Sequence, residues 1–177
     1  MTTMADHGYS SWLEQELRSD QAGETGAVWI YKGILATQPK PALRAFCRRH
    51  LETELRHLEQ MNNLLAPAQR SALLPLWRVA GFLTGFLPAC VSEQAVYLTI
   101  AAVETFVQEH YLQQIEHPAL KEYPDLRCVL ENCMKDEIDH KEEASALTGA
   151  SHGKLAACWS ALVGAGSLIA VDFARRF

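Results

Sequence analysis

Hydrophobic positions along this 177-residue chain recur every three or four residues in four long stretches, the spacing that places side chains on one face of a helix. The first stretch runs from about Ser11 to Ala36 and aligns Leu13, Leu17, Asp20, Glu24, Ala27, Val28, Tyr31 and Leu35. The segment "TQPKP" ends it, and a second stretch, from about Pro41 to Leu65, aligns Phe46, His50, Glu54, His57, Met61 and Leu64. A third begins near Ser92 and carries Tyr97, Ala101, Glu104, Gln108, Tyr111 and Ile115. After "HPALKEYPD" a fourth, from Pro124 to about Thr148, carries Leu126, Leu130, Cys133, Glu137, His140, Ala144 and Leu147, with Gly149 placed to stop it. Proline and glycine cluster between these stretches and strand-like alternation is almost lacking, so the expected class is all-α.

Each apolar face is interrupted by the same kinds of polar residue. A helix with one inward Glu precedes a helix with an inward Glu-x-x-His, and the order then repeats. Glu24 precedes Glu54 by 30 residues and Glu104 precedes Glu137 by 33, so a duplicated helix pair is the simplest reading. One buried acid or histidine is more often a paired core group than a ligand. Six together are a different matter, because four carboxylates converging in one helical core would repel one another and lose their hydration. Two divalent cations remove the conflict, since four anionic ligands balance their charge and two neutral imidazoles complete the donor set. Ferritin-like di-iron and di-manganese bundles are built this way, with one Glu from each of two helices and Glu-x-x-His from each of the other two. The candidate metal ligands, through which any catalysis would run, are therefore Glu24, Glu54, His57, Glu104, Glu137 and His140. Oxygen and nitrogen donors without thiolate suit iron, with manganese as the alternative.

Composition narrows the setting. The length fits one domain spanning 1–177, with about the first ten residues as a flexible N-terminus. A net charge of −5 without a Lys/Arg block argues against nucleic acid as a partner. Five cysteines, an odd number with no C-x-x-C spacing, fit reduced thiols in a cytosolic compartment better than a disulfide framework. The segment "MTTMADHGYSSWLEQEL" has the look of neither a secretory signal nor a transit peptide.

Glu24 sits between Gly23 and Gly26, each of which costs a helix interior about 1 kcal/mol relative to alanine. Bare backbone at these positions permits a close approach, and tight helix packing is the plain use for it.

From about Leu17 to the C-terminus, "DQAGETGAVWIY", "ELRHL", "LPLWRVAGF", "VETFVQEHYLQQI" and "KDEIDH" resemble the successive motifs of the demethoxyubiquinone hydroxylases of ubiquinone biosynthesis. The resemblance implies a ferritin-like four-helix bundle with two additional apolar helices. It also implies a di-iron monooxygenase that hydroxylates a polyprenylated demethoxyquinol with O2. The metal ligands it implies are the same six residues, with NADH as electron source. Asp20 and Tyr111 match the family near the ligand face and are candidates for hydrogen-bonding behind the ligands. Two departures bear on that surrounding layer: Thr105 stands where the family often has a second acid, and Lys135 lies among the acids of "KDEIDH". His50, Tyr31 and His110 have no assigned role.

Two apolar segments lie outside the four stretches. Residues 73–91 carry a single charge, Arg78, and are bounded by Pro75 and Pro88, while residues 155–171 carry none. Interrupted in one case and short in the other, they are not expected to cross a membrane; they either pack over the bundle as covering helices or form a surface that dips into one leaflet and lets a membrane-dissolved quinol reach the site, and a peripheral membrane protein is the expectation. "DFARRF" would suit the polar edge of such a surface. The expected location is the cytoplasm, peripheral to the inner face of the cell membrane. A second copy of the chain or a biosynthetic partner protein is a further expected contact. Two other readings predict different behaviour: a ferritin-like ferroxidase would assemble and load mineral, and a non-catalytic quinone-binding assembly protein would bind quinone without Glu54 or Glu137.

Overall fold

The computed structural model describes residues 8–149 and 153–177 of the chain; residues 1–7 of the expected flexible N-terminus lie outside the described residues. Six α-helices and two short 3-10 turns account for nearly all of it, with no strand among the described residues. The all-α expectation holds, and the helical content agrees with a ferritin-like bundle. The helices fall into two compact units, residues 1–90 with 169–177 and residues 91–168.

In the first unit, α1 (Ser11–Ala36) starts where the Ser10 hydroxyl accepts the Leu13 amide at 3.3 Å. It ends at Thr37, where Gln38 turns into the left-handed region at φ 55° and Pro39 follows. Helix α2 (Pro41–Leu64) opens on a proline, whose missing N–H costs nothing in a first turn. The two helices are antiparallel neighbours. Gln21 Nε2 donates to Asn62 Oδ1 at 3.2 Å, and the rings of Tyr31 and His50 stack with centroids 5.8 Å apart.

The α2 stripe read from the sequence is buried in full, joined by Leu43 and Cys47. On α1 the buried set is wider than one stripe and includes Glu16, Ser19, Gln21 and Thr25; Ile34, rather than Leu35, closes its apolar face. The cause is that α1 is covered on more than one side. Helix α3 (Leu74–Val91) packs on it, and the chain's last residues do as well, through the 2.9 Å ion pair of Arg175 with buried Glu16. Arg18 Nε donates to Gln69 O at 2.8 Å, tying the 65–73 connection to the same side of α1.

Backbone meets backbone between α1 and α3. A Cβ at Gly81 would strike the Gly26 carbonyl, one at Gly85 the Ile30 carbonyl, and one at Gly33 the Phe82 carbonyl. Such an approach is open only to glycine. The segment expected to be interrupted by Pro75 and Pro88 is instead one continuous 18-residue helix. Pro75 falls in the first turn, where no intrahelical N–H bond is needed, and Pro88 in the last, where few further bonds depend on it.

The second unit is built on α4 (Glu93–Glu116) and α5 (Pro124–Leu147). The Ser92 hydroxyl accepts the Ala95 amide at 3.0 Å to start α4, and Pro118 follows its end. Pro124 starts α5, and Gly149 at φ 71° follows its last residues, as the sequence anticipates. Gln94 Nε2 donates to the Thr148 carbonyl at 2.6 Å, so the start of α4 lies against the end of α5 and the pair is antiparallel. Helix α6 (Lys154–Arg176) is longer than the 17-residue apolar stretch, and Trp159 Nε1 fastens its first half to Thr99 Oγ1 at 2.8 Å.

By length and composition, Leu74–Val91 and Ala157–Arg176 are both apolar enough to cross a membrane. Their outer faces expose Leu76, Val79, Leu83 and Leu87 on α3, and Leu162, Leu168, Ile169 and Phe173 on α6.

Candidate metal centre

All six candidate ligands are buried: Glu54 is fully enclosed and none of the others is more than 4% exposed. The first unit brings three of them together. Glu24 comes from the middle of α1, Glu54 and His57 from one face of α2, and each offers a ligand atom within 4.8 Å of the other two. His57 Nδ1 lies 3.8 Å from Glu24 Oε2, too far for a hydrogen bond and a normal spacing for two donors aimed at one point. The second unit repeats the arrangement with Glu104 from α4 and Glu137 and His140 from α5, again within 4.8 Å of one another. Here His140 Nδ1 stands 3.2 Å from Glu137 Oε2. The i, i+3 spacing makes this possible, because residues three apart on a helix share a face about one turn apart.

Each unit thus brings two buried carboxylates and one buried imidazole together. Two anions held this close and this far from water are costly unless a cation joins them. The donor set is oxygen and nitrogen without sulfur, which fits iron or manganese. Cys47 and Cys133 are the buried thiols, and burial pushes the Cys47 thiol up to about 12, so it stays neutral and a poor ligand.

The residues around the ligands differ in burial. Asp20 is buried one turn before Glu24, and Tyr111 is buried two turns after Glu104. His50, unassigned from sequence, is buried between the rings of Tyr31 and Phe46. Thr105 is exposed and its hydroxyl donates back to the Ala101 carbonyl at 2.7 Å. Lys135 is also exposed. A part-buried cation that the sequence reading passed over is Lys141, the residue after His140, whose Nζ donates to Gln108 Oε1 across the α4/α5 pair. Its signal was available: Lys141 lies four residues after Glu137, and Gln108 four after Glu104.

Gly23 is not a close-packing glycine, and Gly26 takes part in the α1/α3 contact only through its backbone. A Cβ at either would meet no heavy atom within 4 Å, although the backbone of Gly26 receives Gly81. Open space therefore lies along α1 on both sides of Glu24.

A family model described as "Ubiquinone biosynthesis protein COQ7" matches residues 11–174. A 3-demethoxyubiquinol 3-hydroxylase of Rhodospirillum rubrum is 32% identical over 174 residues, covering 97% of this chain and 81% of its own. The rat NADPH-dependent 3-demethoxyubiquinone 3-hydroxylase, mitochondrial, is 30% identical over 175 residues, covering 93% and 78%. The human protein of the same name is 28% identical over 137 residues, covering 73% and 62%.

Proposed function

Because this chain belongs to the family of ubiquinone biosynthesis protein COQ7, we propose that it hydroxylates the ring of a demethoxyubiquinol with O2 at a pair of iron ions held by Glu24, Glu54, His57, Glu104, Glu137 and His140. As a member of that family the chain is a hydroxylase of ubiquinone biosynthesis. The observation that carries the metal reading is the burial, in each unit, of two carboxylates and an imidazole with ligand atoms no more than 4.8 Å apart.

When bound, the reduced metal pair supplies the electrons and open coordination positions that O2 chemistry requires. The chain's own residues do the rest. Glu54 with His57, and Glu137 with His140, present an acid and an imidazole from one helix face, and Glu24 and Glu104 complete each set from the neighbouring helix. Asp20, buried one turn before Glu24, and Tyr111, buried two turns after Glu104, are the groups this reading assigns to hydrogen-bond the ligands and fix which oxygen or nitrogen faces the metal. The open strip beside Gly23 and Gly26 receives the flat ring, and the glycines keep side chains out of its way. Exposed apolar faces on α3 and α6 rest in one leaflet of a membrane, so that a polyprenyl tail can stay in lipid while its ring enters. Electrons come from a reduced nicotinamide nucleotide. The rat and human relatives are named as NADPH-dependent, so NADPH is tested beside the NADH that the sequence resemblance implies.

The decisive experiment compares the full chain with Glu137→Ala for bound iron and for conversion of a short-chain demethoxyubiquinol to a product heavier by one oxygen. The expected result is two irons per chain and hydroxylation in the parent, with both lost in the variant. A folded, iron-free parent after iron-replete growth, or full hydroxylation by Glu137→Ala, would reject the proposal.

A further inference from the structure

The α4/α5 pair carries a part-buried cation whose partner is not an acid. Lys141 Nζ donates to the side-chain oxygen of Gln108. Lys141 follows Glu137 by one turn and Gln108 follows Glu104 by one turn, so both continue the faces that carry ligands. In the antiparallel pair, Gln108 lies beyond Glu104 toward the connecting turn. Lys141 lies beyond Glu137 and His140 in the opposite direction. To reach the amide, the lysine side chain must run lengthwise across the level of Glu104, Glu137 and His140. An ammonium paired with a carboxylate would have its field largely cancelled. Paired with a neutral amide, it keeps its field and is only held in place.

We propose that Lys141, held by Gln108, is a positioning residue that sets the reduction potential of the metal pair through its fixed positive charge. The inference rests on the metal centre proposed above. A cation beside the pair disfavours the oxidised state, which carries more positive charge, and so raises the potential. Gln108 matters because an ammonium released from it would swing into water, where its field is screened. A unit charge about 10 Å away, at an effective dielectric near 20, changes an equilibrium constant on the order of tenfold. For a one-electron couple that is about 59 mV.

The test is an anaerobic potentiometric titration of the full chain loaded with Fe2+, with iron content measured on the same samples. Lys141→Met should keep its iron and titrate at a potential lower by about the shift above, while Lys141→Arg, with the charge restored, should return close to the parent. Gln108→Ala should move the potential in the same direction as Lys141→Met and serves where that variant does not fold. Equal potentials in the parent and in an iron-loaded Lys141→Met or Gln108→Ala overturn the role of Lys141 and leave the metal centre standing. A parent chain that holds no iron removes the centre itself, and the inference with it.

Discussion

Replacing Glu54 with glutamine should make the metal-free protein more stable and its response to metal weaker, a reversal of sign that ordinary core damage does not produce. Glu54 is fully buried, and its ligand atom lies within 4.8 Å of that of Glu24. Two unit charges at that separation repel by about 3.5 kcal/mol at an effective dielectric near 20. The imidazole of His57 offsets part of this, and glutamine keeps a polar group in the same volume, so a gain of about 1–3 kcal/mol is expected. For a chain of this length each kcal/mol moves Tm by about 2–4 °C, so metal-free Glu54→Gln should melt about 3–10 °C above the parent. Metal works the other way. Free Mn2+ at about 100 times its Kd stabilises the parent by about 2.7 kcal/mol, and a variant lacking one anionic ligand should recover only a small part of that. Thermal denaturation of both chains in chelator and in fixed Mn2+ reads both effects. If metal-free Glu54→Gln melts below the parent, or gains as many degrees from Mn2+, the argument that these acids are held against their mutual repulsion for a cation is wrong.

Three further outcomes follow from the packing. Gly85→Ala should destabilise by about 1–3 kcal/mol, because its Cβ has nowhere to go but into the Ile30 carbonyl; Gly166→Ala, exposed in α6 with nothing within 4 Å, should instead gain about 0.5–1 kcal/mol. Denaturant titration that ranks the two alike would refute the α1/α3 interlock. Gly23→Ala should stabilise by a similar 0.5–1 kcal/mol while lowering kcat/KM for the quinol, and unchanged turnover would mean that the ring does not use that space. Cys47 should resist alkylation at pH 8 while exposed Cys90, Cys128 and Cys158 react, since its thiol is raised from 9.0 to about 12. The linkage runs downward with pH: above pH 9 the unfolded chain releases this proton and the folded one does not, so Cys47 withdraws stability progressively between about pH 9 and 12. Peptide mass mapping after timed alkylation checks the first part, and a Cys47→Ala chain that loses stability just as steeply over that range would contradict the second.

What the sequence settled by itself is local. The limits of α1, the proline starts of α2 and α5, the Ser92 cap and the stop at Gly149 all follow from backbone chemistry that acts within a few residues. The inward acids and histidines were legible for the same reason: a 3.6-residue period shows which side chains share a face, and a carboxylate on an apolar face is conspicuous. Tertiary structure alone decided what each face meets. Gly33, Gly81 and Gly85 look like any helical glycines until two helix axes come close enough for backbone to touch backbone. Nothing in the sequence around Glu16 points to its partner Arg175, 159 positions away. Lys135, set among the acids of "KDEIDH", turns outward, while Lys141 is part-buried and held by a glutamine on another helix. The period of a helix is written in consecutive residues, but the partner of a side chain depends on how distant segments pack, and no short window of sequence contains both members of the pair.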